Sequence, residues 1–160
     1  MLVKLTEMPD ASRIWIYQAA RKLEENELAF IEKVAETFLS QWQAHGQDLK
    51  SSFSLEYDQF LILAVDESFN QASGCSIDAS VHLIQKLEEE LHVSFTTNGQ
   101  VAFFLNEKVV LKPFTTIKQS VQRNEIQADT TVFDNTIKYL ADFRQKWPAE
   151  SKDTWISRYF

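Results

Sequence analysis

Between positions 66 and 76 the chain gathers Asp66, Glu67, Ser68, Asn70, Ser73, Cys75 and Ser76, its one cysteine among them. Such groups can bind a polar ligand, exchange protons or, through a thiolate, attack an electrophile. An apolar run, residues 60–65 (FLILAV), empties into this loop, and an amphipathic helix follows from about Ser76 to Leu91. A strand that leads through a polar loop to a helix start is a common place for a site, because the first backbone N–H groups of the helix have no partner within it. The expected ligand-binding residues are Arg21, Asp66, Ser68, Asn70, Ser73 and Ser76. Cys75 is the one candidate for catalysis, and no metal site is expected.

A thiol at a helix N-terminus beside Arg21 or Lys22 would favour the reactive thiolate. A cysteine hydrolase also needs a histidine within hydrogen-bond reach. His82 lies seven residues on, roughly 10 Å along the helix axis, on an outward face where Asp78 can pair with it. His45 is expected at the opposite edge and His92 beyond the far helix end, so no Cys–His dyad is expected. The simplest role for Cys75 is that of a small, partly buried packing residue. Ser76 reads as the helix N-cap, with Asp78 favourable to the dipole. Asp66 and Glu67 are neighbours on an extended segment and point to opposite faces, which makes them a poor bidentate pair. Asp66 and Asn70 are expected to brace the loop, and Glu88, Glu89 and Glu90 to form a solvated helix face.

These groups need a scaffold. Residues 13–19 (RIWIYQA) read as a strand covered on both faces. A helix ends near Trp42, with Leu28, Ile31, Ala35, Phe38 and Trp42 on one stripe and Gly46 as its stop. Residues 52–57 (SFSLEY) alternate strictly, Asp58-Gln59 reverses the chain, and residues 60–65 form a central strand. The buried face of the second helix reads as Ile77, Val81, Ile84, Leu87 and Leu91. With residues 92–97 (HVSFTT) as a further strand, the order β-α-β-β-α-β predicts an α+β protein with a ferredoxin-like, split βαβ N-terminal part. In that arrangement the first and third strands are parallel neighbours, and the loops that follow them share one edge. That places Gln18, Arg21 and Lys22 beside the 66–76 loop, at the strand ends where ligands collect. The rest reads as a hairpin signalled by Asn98-Gly99, strands at 101–105 and 108–112, a helix near 114–123 and a strand near 131–134, with Trp147, Pro148 and Trp155 anchoring the tail. The expected division is residues 1–97 and 98–160, packed as one compact unit.

With 160 residues, 44% of them hydrophobic, the chain has enough apolar material for an ordinary core. The formal net charge of −7 argues against nucleic acid and anionic membranes as partners. A single cysteine suits a reducing compartment, and the first residues, MLVKLTEMPD, lack the apolar core of a signal peptide, so a cytoplasmic location is expected. Gly46, Gly74 and Gly99 are too far apart for a phosphate loop or a dinucleotide fingerprint, and no H-E-x-x-H or paired-cysteine zinc pattern occurs. No cofactor is expected.

Two resemblances accompany this reading. The run from Val101 to Asn135 is similar to small GYF-type modules carrying a G-x-I-x-x-D-T-x-V segment. Here Asn124-Glu125-Ile126 stands where that pattern prefers Gly. The aromatic signature for peptide binding is not intact, so proline-rich binding is not implied. Across nearly its whole length the chain also resembles a small bacterial family often labelled "ABC transporter ATPase". The residues that carry this are SRIWIYQAARKL, WQAHGQDLKSSF, LAVDESFNQASGCSIDASV and KDTWISRYF. The phosphate loop that the label requires is missing. The resemblance implies a group and a cytoplasmic setting, with no established activity and no defined catalytic residues.

The leading expectation is therefore a non-enzymatic module that binds a small polar ligand or a peptide at the loop between the third strand and the second helix. Self-association through a sheet edge, giving a homodimer, is a further expectation. The alternative is a small cysteine-dependent enzyme using Cys75.

Overall fold

The computed structural model describes residues 1–96 and 99–160, so the Asn98-Gly99 hairpin signal falls partly outside the described residues. The protein is α+β, with antiparallel sheets in each of two compact units. One unit comprises residues 1–97 with 138–141, the other residues 98–137 with 142–160.

In the first unit β1 (Arg13–Gln18), β4 (Ser51–Glu56) and β5 (Phe60–Val65) form a sheet in the order β1-β5-β4. Every residue of β5 is buried, as its two-faced apolar pattern requires. Truncating one of its large side chains, such as Leu63→Ala, carries the cavity cost of a core site, about 2–5 kcal/mol. The β4–β5 reversal lies at Tyr57-Asp58, both at left-handed φ (52° and 53°). The Gln59 N–H donates to the Glu56 carbonyl, which closes a type I′ turn whose twist suits a hairpin. The turn falls one residue before the expected Asp58-Gln59.

Helix α1 (Glu25–Ser40) buries Ile31, Ala35 and Leu39 and packs against β4 and against helix α2 (Gly74–Leu91). Gly46 does not stop α1, which ends at Ser40. His45 and Gly46 (φ 53° and 75°) instead form the turn between β2 (Gln43–Ala44) and β3 (Gln47–Asp48). Two consecutive left-handed residues make a two-residue hairpin turn, which outweighs the helix-stop reading of a lone glycine.

The buried face of α2 consists of Ser76, Ser80, Leu83, Ile84 and Leu87, rotated from the expected face. Ile77, Val81 and Leu91 are only half-buried. The small serines allow close approach: the Trp42 indole N–H donates to the Ser76 carbonyl at 2.9 Å, and Tyr17 and Ser80 share a hydrogen bond.

The strand directions differ from the split βαβ expectation. β1 and β5 are neighbours, but they run antiparallel, with Arg13 opposite Val65 and Gln18 opposite Phe60. Residues 92–96 form no strand. His92 caps α2 in the left-handed conformation (φ 53°), and Val93 and Phe95 turn into the core. The outer edge of β1 is met instead by Lys138 and Tyr139, through the Ile14 N–H to the Lys138 carbonyl at 2.8 Å and an Arg13–Tyr139 bridge.

In the second unit β6 (Gln100–Leu105), β7 (Lys108–Pro113), β8 (Thr131–Val132) and β9 (Ala149–Glu150) form a sheet in the order β7-β6-β8-β9. β6 and β7 join through Asn106-Glu107, both at left-handed φ. Helix α3 (Ile117–Gln122) closes a core of Val101, Phe103, Ile117, Ile126, Val132 and Ile156. Asn124, at the position where the GYF-type segment prefers Gly, has φ 57°, a conformation that Gly and Asn tolerate best. Helix α4 is Leu140–Lys146. Among the described residues no helix is long and apolar enough to cross a membrane.

Candidate functional site

The expected edge does not form. Antiparallel pairing puts the end of β1 and the end of β5 at opposite ends of the sheet, a six-residue strand apart, or roughly 20 Å. Helix α2 gives a second ruler. Arg21 reaches the Leu91 carbonyl at the last residue of α2, whereas Ser73 and Cys75 sit at its start. Eighteen residues of helix span roughly 27 Å. Arg21 is held there by a two-pronged pair with Glu27, at 2.8 and 2.9 Å. The hydrogen bonds from Arg21 and from the Glu24 backbone bring the Glu27 carboxyl down to about 2. Lys22 stays at the same end, 4.0 Å from Asp58. Neither cation can activate Cys75.

The 66–76 loop brings Asp66, Ser68, Asn70, Ser73 and Ser76 together, and their polar atoms hold one another and the neighbouring hairpin. The Asp66 carboxylate accepts from the Ser68 N–H and hydroxyl and lies 3.6 Å from the Lys50 ammonium. Burial pushes this carboxyl up. The Ser68 hydrogen bonds and Lys50 outweigh burial and hold it below its ordinary value. The Asn70 amide donates to the carbonyls of Gln47 and Asp48 at 3.2 and 3.4 Å, pinning the β2–β3 hairpin to the loop. Ser73, rather than Ser76, is the N-cap of α2. Its hydroxyl accepts from the Ser76 N–H at 3.1 Å, and the Ser76 hydroxyl accepts from the Ser73 N–H at 2.7 Å. This reciprocal pair satisfies the first helical donors, so the helix start moves to Gly74.

Cys75 is exposed, contrary to the partly buried packing role, because α2 begins before it and turns it outward. His45 is also misplaced by the sequence expectation. The hairpin that carries it is tied by Asn70 to the 66–76 loop. Of the three glutamates at the end of α2, Glu88 accepts from the Phe95 N–H and the Thr96 hydroxyl. It therefore braces the chain after the helix instead of only facing water. Among the described residues, no group of three or more His, Cys, Asp or Glu could hold a metal ion.

Another surface feature of the first unit is a trough of about 570 Å³ between α1 and α2. Phe30, Val34, Phe38, Ala79 and Leu83 form its apolar lining; Lys33, Thr37, Gln41, His82 and Lys86 form its polar lining. Phe30, Val34 and Phe38 recur every four residues and are half-buried. They make a second apolar stripe on α1 beside the buried Ile31, Ala35 and Leu39. A helix that packs on one side only needs one stripe, so the doubled stripe is the sequence signal for this trough. Phe38 is backed by the Trp42 ring at 5.4 Å. The lining includes no Asp or Glu, although acids outnumber Lys and Arg 23 to 16 in the chain.

Comparison with protein-family models, with curated proteins and with solved structures found no match to this chain.

Proposed function

We propose that this protein is a non-enzymatic binding module whose ligand sits in the α1–α2 trough. One observation carries the reading: an apolar floor bordered by Lys33, His82 and Lys86, with no acidic side chain in the lining. The volume lies within the roughly 300–1,000 Å³ of ordinary ligand sites, and an apolar lining with a few polar groups is their usual make-up. Such a surface selects an apolar body that carries negative charge. A single thiol suits work in a reducing, cytoplasmic setting.

The rival is a cysteine-dependent enzyme at Cys75, favoured by the exposure of that thiol in the first turn of α2. An isotope-labelled sample titrated with anilinonaphthalene sulfonate, an apolar anion, separates the two. Amide shifts should cluster at residues 30–41 and 79–86 and weaken in Val34→Asp. Shifts gathered on residues 66–76 would move the site to the loop and retire the trough.

A further inference from the structure

We propose that the trough's ligand is an acidic amphipathic helix of a partner protein, an inference that rests on the binding reading above. Length is the first argument. The trough follows α1 from Phe30 to Gln41, roughly 16 Å at 1.5 Å per residue. That is three turns, and on α2 it follows two turns from Ala79 to Lys86. A surface that long between two helices matches a third helix laid along it, with apolar anchors spaced at i, i+3, i+4 and i+7. The row Phe30, Val34, Phe38 offers the complementary one-turn spacing on the host side.

Charge is the second argument. Lys33 stands on the α1 side and Lys86 on the α2 side. Neither forms an ion pair among the described residues. A guest helix seated between them meets a cation on each flank, which calls for Glu or Asp on both sides of its apolar stripe. In a protein of formal charge −7, a bordering set of cations without acids is a local reversal. Complementarity of this kind selects partners and sets their orientation.

Synthetic peptides test this on the full chain. One carries leucines at i, i+3, i+4 and i+7 flanked by glutamates over about three turns; its twin carries lysines in place of the glutamates. Binding is followed by fluorescence anisotropy and mapped by amide shifts. The glutamate peptide should bind with shifts at residues 30–41 and 79–86. The double variant Lys33→Glu/Lys86→Glu should bind it about tenfold more weakly and prefer the lysine peptide, as reversed charges at the edge of an interface do. Circular dichroism confirms that the variant is folded, and Lys33→Arg/Lys86→Arg should restore binding. Equal binding of both peptides, or a glutamate peptide that ignores the charge reversal, overturns the proposal. So does a dimer of this chain that buries the trough and excludes the peptide. If the sulfonate dye binds the trough but neither peptide does, the acidic helix is wrong and the binding module stands. If the dye also fails, both fall.

Discussion

Asp66 is the residue that sequence alone marks most clearly, and its chemistry is structural. Its carboxylate is nearly buried, and the Ser68 hydrogen bonds and the Lys50 ammonium favour its charged form against that burial. Its folded pKa lies below the unfolded value, so its stabilisation is complete above about pH 4 and is lost as pH falls through the folded value. Asp66→Asn should cost about 1–3 kcal/mol at pH 7, and the difference from wild type should narrow toward pH 3; urea titrations at both pH values read this. Glu27 behaves similarly through a different partner. Its pair with Arg21 contributes above the ordinary glutamate range and disappears as pH falls through about 2. In Arg21→Ala, a carboxyl-carbon NMR titration should find Glu27 well above that value. An unchanged titration would mean that the two-pronged pair does not persist in solution.

At the scale of elements, the start of α2 shows how a motif can be read correctly and placed wrongly. Ser73 and Ser76 both fit a cap, and a spacing of three makes each the other's partner. Only the chain direction before Ser73 decides which is outside the helix. Ser73→Ala should destabilise the protein by about 1 kcal/mol and Ser73→Gly by a few tenths, as read from denaturant midpoints. An equal cost for both would point to lost packing instead of a lost cap. Helix α1 raises the opposite problem. Spacing gave Ile31 and Ala35 of its buried stripe but missed Leu39 and set the half-buried Phe38 among them, because the second stripe at Phe30, Val34 and Phe38 is indistinguishable by period from further core. What separates them is whether another layer covers that side, and a single helix does not encode that.

At the scale of the molecule, strand direction decides which residues meet. The exposed Cys75 thiol provides the measurement. A nitroxide attached there should broaden amide signals from residues 43–48 and 66–80 and spare those at 18–24, near the far end of α2. Broadening around Arg21 comparable to that around Asn70 would restore the parallel arrangement of β1 and β5.

Local chemistry was sufficient for the α+β class, for most of the long elements and for the β6–β7 hairpin. Alternation and helical spacing act over a few residues and leave their mark directly in the chain. The same is true of Asp66, which braces the loop through Ser68 two residues on; Asn70 instead reaches Gln47 and Asp48, more than twenty residues away. Three features were decided only by tertiary packing: the antiparallel β1–β5 pair, the attachment of Lys138 and Tyr139 to the edge of β1, and the trough between the helices. Hydrophobic patterning is the same for a strand read in either direction. A partner more than a hundred residues away leaves no local trace, and a groove belongs to two helices at once. The expected Arg21–Cys75 edge failed for that first reason, and the Lys33–Lys86 trough stayed hidden for the last.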